Sequence, residues 1–245
     1  MAKRSGLGQQ FYINNYDLSG DVSTISTLAT PREALDVTAI NASAHERILG
    51  LADGNISFTT YFNDSAGQEH AALSGLPTTD VQLSWLMSGT RGDPAVSMVA
   101  KQIDYNGSRG TDGALTFEVT ANTTGTAPDW GNTLTAGSDT HSSAGATGSV
   151  DNGAATSNGL VAYLNLVSIA SGTVTVAVQG SSDNGSSDAF ANVAAFTASD
   201  AGAKERITAS GAVERYLRIN TTGTFSNAVI VVTVRRGTAQ DDVSL

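Results

Sequence analysis

Apolar and polar residues alternate with a period of two along much of this chain, the pattern of strands that bury one face. Ile56, Phe58, Thr60 and Phe62 fall on one side of the first clear run, opposite Asn55, Ser57, Thr59 and Tyr61. Val81, Leu83, Trp85 and Met87 repeat the pattern, and Leu115, Phe117 and Val119 stand against Thr116, Glu118 and Thr120. Each run predicts a strand in a sheet with one apolar and one solvated face. Two short helices are expected between them. Ser43 and Glu46 have capping-box spacing, with Gly50 as a stop; Ala66 to Ser74 lies between a cap at Asp64 or Ser65 and the terminators Gly75 and Pro77, with Ala66 and Leu73 facing the sheet.

The alternation returns after residue 158. Leu160 to Val167 predicts a strand, Val174, Val176 and Val178 share a face, Asp183-Asn184-Gly185 marks a turn, and Leu217 and Ile219 point inward from Tyr216 to Asn220. Val229 to Val234 is apolar on both faces and so reads as a covered, central strand. Between the two regions, residues 137–158 have Val150 as their only sizeable aliphatic and read as a linker rich in Gly, Ser and Thr. The expectation is therefore an all-β chain: a β-sandwich or barrel domain with a short flanking helix at 1–136, a linker at 137–158, and a small Ig-like or jelly-roll β-sandwich at 159–245.

Composition agrees with strands and narrows the chemistry. The 245 residues are 40% hydrophobic and only 15% charged, and they contain no cysteine, which removes disulfides and thiolate chemistry. Net charge is −10: residues 1–139 hold 15 acids and 7 bases, residues 140–245 hold 8 and 6. Gripping duplex DNA requires Lys and Arg to displace counterions, so the acidic first region is expected to repel it. No apolar run reaches the length of a membrane span, and the basic start MAKRSGLGQQ lacks an apolar stretch behind it; membrane binding is not expected, and synthesis in the cytoplasm is.

Motifs for chemistry are sparse. His45-Glu46 opens a zinc-protease pattern without its second histidine, no nucleophile elbow or phosphate loop is present, and the three histidines have no ligand spacing, so neither an enzyme nor a metal or cofactor site is expected. Arg91-Gly92-Asp93 sits in a turn-like stretch before Pro94, and Asp183 with Asp188 reads as a β-turn lacking the spacing of a calcium loop. The densest charge is Asp36, His45, Glu46, Arg47 and Asp53. Two readings stand: a solvated face, or contacts in which Arg47 meets a neighbouring subunit's carboxylate.

The stretch from Asp36 to Asp64, DVTAINASAHERILGLADGNISFTTYFND, resembles the major tail tube proteins of long-tailed, siphovirus-like bacteriophages. They share DVT, a charged turn, GLxDG and an alternating strand ending near an aromatic and Asn or Asp. The likeness extends more weakly over residues 1 to 136. GLGQQFYINNYDLSGDVSTIS resembles the family's N-terminal arm and first strand, and LATPREALDVTAIN the loop that reaches an adjoining ring. Many relatives have PGL where this chain has Leu49-Gly50-Leu51.

The resemblance implies a virion structural protein, made and assembled in the host cytoplasm and ending in the phage tail. Copies would form hexameric rings that stack into a tube, an acidic conduit through which DNA passes without specific binding. Asp36, Glu46, Arg47 and Asp53 become candidate subunit contacts, and Glu118 and Asp64 candidate lumen-facing acids. The implied partners are further copies of the chain and the tape measure, tail tip and tail terminator proteins. The second domain would decorate the outer wall. Alternatives are a capsid (head) decoration protein and a glycan-binding adhesin acting through residues 159–236.

Overall fold

The computed structural model describes residues 3–238, and its compact units are discontinuous in sequence. Unit 1 gathers Met1–Gly20, Gln82–Ser97 and Asp129–Leu245; unit 2 gathers Asp21–Val81 and Met98–Pro128. Strands β1 (Gln10–Ile13) and β2 (Tyr16–Asp17) open unit 1. Unit 2 follows with β3 (Val22–Ala29), β4 (Arg32–Asp36), β5 (Arg47–Ala52), β6 (Asn55–Tyr61) and helix α1 (Glu69–Leu73). The chain returns to unit 1 in β7 (Val81–Leu86), and β8 (Pro94–Gln102) carries it back to unit 2 for β9 (Asn106–Arg109) and β10 (Leu115–Thr123). All later strands belong to unit 1: β11 (Asp129–Thr133), β12 (Asp139–His141), β13 (Gly145–Ala146), β14 (Val150–Asp151), β15 (Leu160–Ser168), β16 (Ser171–Ser181), β17 (Ala191–Ala195), β18 (Ala203–Ala209), β19 (Tyr216–Ser226) and β20 (Ala228–Arg236). The fold is all-β, and α1 is the one helix among the described residues.

Unit 1 is a sandwich. One sheet runs β18-β15-β20-β11-β8, and the other runs β17-β16-β19 with β13 and β14 completing the far side of β19. Leu164, Ile230 and Val232 from the first sheet meet Val176, Val178, Leu217 and Ile219 from the second in one buried cluster. The apolar run of β20 behaves as its composition dictates. Ile230 and Val232 join that cluster, Val231 joins another with Tyr12, Leu86 and Ala95, and the strand is hydrogen-bonded on both edges by β15 and by β11 and β12.

The expected boundary at 136 and linker at 137–158 are not what the structure shows. Residues 137–158 contain β12, β13 and β14, which pair with β20 and β19. Pairing through backbone groups asks nothing of the side chains, which is why a Gly- and Ser-rich stretch holds a place in a sheet. Thr221 helps: its hydroxyl accepts the Gly145 N–H at 3.1 Å and donates to the Gly145 carbonyl at 3.0 Å. The end of the expected second domain, residues 239–245, lies outside the described residues, as do Met1 and Ala2.

In unit 2 the sheet order is β8-β10-β6-β3, with β9 on the other end of β10. One face is buried: Ile56, Phe58 and Thr60 from β6, Val119 and Ala121 from β10. Helix α1 lies at 69–73, within the expected run, with Leu73 buried, Ala66 exposed, and Gln68 as its cap. Its Glu69 is buried, yet satisfied: Thr60 donates its hydroxyl to Oε1 at 3.0 Å, and the Glu69 N–H donates to Asp21 at 3.0 Å.

The helix expected at 43–50 does not form. Arg47–Ala52 is β5, paired antiparallel with β4 in the register Asp36↔Arg47, Leu35↔Ile48 and Ala34↔Leu49. The Glu46 N–H, which a capping box would turn toward Ser43, bonds instead to the Thr38 hydroxyl at 2.9 Å. Ile48, Leu49 and Leu51 then extend along a strand in which Gly50 is a pass-through residue.

Candidate assembly surface

The hairpin of β4 and β5 is the outlier of the molecule. Among the described residues its strands pair only with each other, and every residue from Arg32 to Ala52 is exposed except half-buried Ala42 and Gly50. Charge alone does not account for this, because the hairpin also presents apolar side chains: Leu49 is 66% exposed, Leu51 89% and Ile40 107%, with Leu35, Val37 and Ile48 beside them. The base is pinned where the Asp53 N–H donates to the Pro31 carbonyl at 3.0 Å. Beyond it, the neighbouring corner requires glycine: a Cβ on Gly54 would stand 2.4 Å from Cδ of Pro128.

The charged residues of the sequence pattern do gather here. Asp36 sits at the end of β4 opposite Arg47, and His45 Nδ1 lies 3.0 Å from its carboxylate. The Thr38 hydroxyl and backbone N–H hold the Asp36 carboxyl below its ordinary value of 3.8, with His45 adding to the effect. Glu46 is exposed at the turn, its backbone carbonyl accepting the Val37 N–H at 2.9 Å. Asp53 stands apart at the hairpin's base, accepting the Gly54 N–H at 2.7 Å and the Thr123 hydroxyl at 3.4 Å.

The second surface of interest in unit 2 is the exposed side of its sheet. The register aligns Glu118 with Thr59, Thr120 with Ser57 and Asn122 with Asn55, while β3 brings Thr24 to Thr59 and Thr27 to Ser57. The result is a carpet of hydroxyls and amides in which Glu118 is exposed as the acid of its row. Asp64 is exposed in the turn before α1, away from these rows in sequence and not in a strand. Unit 2 as a whole holds 11 acids against the four bases Arg32, Arg47, Lys101 and Arg109. The acidity thus belongs to this unit rather than to the N-terminal half as such.

The motifs of unit 1 are tied down. Arg91 bonds the Leu134 carbonyl at 3.1 Å and Asp139 at 3.2 Å, while Asp93 accepts Arg4 at 2.7 Å and Ser88 at 2.6 Å, so the tripeptide's two charges are engaged within the fold. Asp183 accepts the backbone N–H groups of Ser186, Ser187 and Asp188, and Asp188 accepts that of Ser182, around a turn with positive φ at Asn184 and Gly185. No group of three or more His, Asp or Glu suited to a metal ion occurs among the described residues.

Sequence reasoning missed the apolar side chains of the hairpin. The run Ile48-Leu49-Gly50-Leu51 between charges was the available signal, and the capping-box spacing of Ser43 and Glu46 obscured it.

No protein-family model matches the chain, and no curated protein matches it. Among solved structures, the chain is similar to one in the virion of a native gene transfer agent particle, at 14% identity and a TM-score of 0.42, covering 51% of this chain and 97% of that one. It is similar to the SPP1 Dit protein, described as a hub adsorption apparatus protein, at 10% identity and a TM-score of 0.34, covering 93% and 99%. A chain of the phage p2 baseplate in its activated conformation aligns at 11% identity and a TM-score of 0.35, covering 94% and 98%. Likenesses this distant assign no role to any residue of the chain.

Proposed function

We propose that this chain is a self-assembling virion structural subunit of a phage tail, and more specifically a ring-forming tail tube protein. The uncovered hairpin 32–52 carries the reading. An isolated two-stranded hairpin is marginal in water, and one that exposes several large apolar side chains is an interaction surface awaiting a partner. The occupant we assign is a second copy of the chain, because Leu28 to Asn41, which includes β4, resembles the tail tube family's loop toward the adjoining ring, and Asp36 to Asp64, which includes β5, resembles the pattern that family shares. Asp36, Glu46 and Arg47 then supply oriented charge around an apolar centre, and Asp53 lies at the hairpin's root.

The hydroxyl-rich face of β6 and β10 suits the wall of a conduit. It offers hydrogen bonds to water and carries Glu118 as the charge of β6 and β10, while Lys101 of β8, in register with Asn122, is paired with Asp80, so little on it would hold phosphate. Sister copies pairing at the sheet's ends would remove the edges at β3 and β9; the two bulges where β3 meets β6 meanwhile limit indiscriminate pairing. Tape measure, tail tip and tail terminator proteins are the further partners this reading implies, and it assigns no catalytic step to the chain.

The test replaces residues 32–52 with a short Gly-Ser link and compares both proteins by electron microscopy and sedimentation. The intact chain should form rings or hollow tubes, and the shortened chain should remain a folded monomer. Assembly that survives the deletion would remove the hairpin from the interface, and trimers or knobs instead of rings would favour a head decoration protein.

A further inference from the structure

We propose that unit 1 carries a groove for a neutral oligosaccharide, with Trp130 as its stacking platform. Trp130 is 46% exposed on β11, beside two adjoining depressions that share Asn132 and Asp151. One depression is lined by Trp130, Asn152 and Arg236, and the other continues past Asn132 and Asp151 to Ser149. Together they form an open, mostly polar trough whose apolar lining is Trp130, Val150 and Val234.

The platform is built into the fold rather than left over from it. β11 pairs with β20 as Asn132↔Val234 and Thr133↔Thr233, and continuing that register places Trp130 opposite Arg236. Gly131 lets the strands approach: a Cβ there would stand 2.0 Å from the Val234 carbonyl oxygen. The Arg236 guanidinium is anchored by donating from Nη2 to the Ala154 carbonyl at 2.6 Å, while its Nε, buried, has no hydrogen-bond partner among the described residues. Across the trough Asp151 is fixed by a bidentate pair with Arg215 at 2.7 and 2.6 Å, and Asn152 by donating to the Arg215 carbonyl at 3.0 Å.

The chemistry selects the ligand class. A sugar ring has an apolar C–H face that lies flat on an indole, and hydroxyls at its rim that need fixed donors and acceptors at several points. The trough offers an aromatic face, amides, a carboxylate and a guanidinium N–H in that arrangement. Its length across two depressions suits several linked sugars rather than one. Asp151 is paired with Arg215, Asp93 with Arg4 and Arg91 with Asp139, and Arg236 has Glu214 as its nearby acid, so the charges that line the trough are balanced.

The chain has two tryptophans, so a Trp85→Phe protein reports on Trp130 alone. It would be screened on an array of neutral and charged glycans, and its emission followed on titration with maltotetraose and N-acetylchitotetraose. The expected result is binding of at least one neutral oligosaccharide with a change in Trp130 emission; Trp130→Ala should weaken it about tenfold or more, and Trp130→Phe, which keeps a ring, much less. An unchanged melting curve for Trp130→Ala would show that the loss is local. The proposal is overturned if no neutral glycan on the array binds, if binding is confined to charged glycans, or if it survives Trp130→Ala.

Discussion

The sandwich of unit 1 and the hairpin of unit 2 are made from similar residues and treat them oppositely. In unit 1, Leu164, Ile230 and Leu217 vanish between two sheets; in unit 2, Leu35, Ile48 and Leu49 stand in solvent on a ribbon with no second layer. Burial of an aliphatic side chain is worth about 1.5–3 kcal/mol, so the first arrangement is self-supporting and the second leaves that energy uncollected in the single chain. A surface of this kind makes sense when the burial occurs between molecules. Under the proposed function, stability and assembly reside in different places, and substitutions should separate them.

The largest loss of stability is expected at Asp129. Its carboxylate is nearly buried, receives the Tyr163 hydroxyl at 2.5 Å and Arg235 at 2.9 Å, and its negative charge, after burial itself, pushes the Tyr163 phenol well above its usual range. Asp129→Ala strips both donors of this acceptor. Breaking a buried ion pair costs about 3–5 kcal/mol, and the partial exposure of Arg235 places this one near the lower end, about 3 kcal/mol. Denaturant unfolding measures it, and a loss below about 1 kcal/mol would mean that water replaces the carboxylate.

Glu69→Ala should cost less, about 1–3 kcal/mol, because it leaves the buried Thr60 hydroxyl without its carboxylate acceptor while Asp21 still caps the Glu69 N–H. Glu69→Gln, which keeps an acceptor oxygen, should recover most of the loss.

Acid should act on the two regions in different windows. His141 is largely buried beside Thr221, and burial lowers its pKa below the ordinary 6.5, with Asp139 opposing and Arg91 reinforcing the shift. The unfolded chain therefore takes up this proton first. Stability is complete above about pH 6.5 and falls as pH drops toward the folded value. His141→Gln should flatten melting temperature between pH 6.5 and 5, and an unchanged slope would assign it to other groups. Asp36 on the hairpin has the carboxylate version of the same sign, so its contribution is present above 3.8 and fades as pH falls below it.

Legibility in the sequence divides along the same line. β6, β15, β16, β19 and β20 bury one or both faces, and burial writes a pattern that can be read: Ile56 and Phe58, Val174, Val176 and Val178, Leu217 and Ile219 all lie buried. The hairpin fully buries no residue from Arg32 to Ala52, so that segment has no such period, and a four-residue capping signal masks a strand that only pairing reveals. Residues 137–158 hid for a related reason, since β12, β13 and β14 are held by backbone groups that composition does not record. Trp130 was silent because a groove depends on β11, β14 and β20 meeting, and sequence order does not show that.

The smallest effect on stability should accompany the largest effect on assembly. Leu49→Ser changes a side chain that is 66% exposed and packs against no second layer, so the folded monomer should shift by no more than about 0.5 kcal/mol. Arg47→Glu places a second acid directly opposite Asp36, and a like-charged cross-strand pair loosens a ribbon by about 0.2–1 kcal/mol without touching unit 1. Both proteins should melt close to the parent and yet sediment as monomers under conditions where the parent polymerises. If Leu49→Ser melts several degrees lower, the hairpin is covered within its own chain in solution. If both variants polymerise normally, the exposed leucines serve another partner, and the self-assembly reading loses its physical basis.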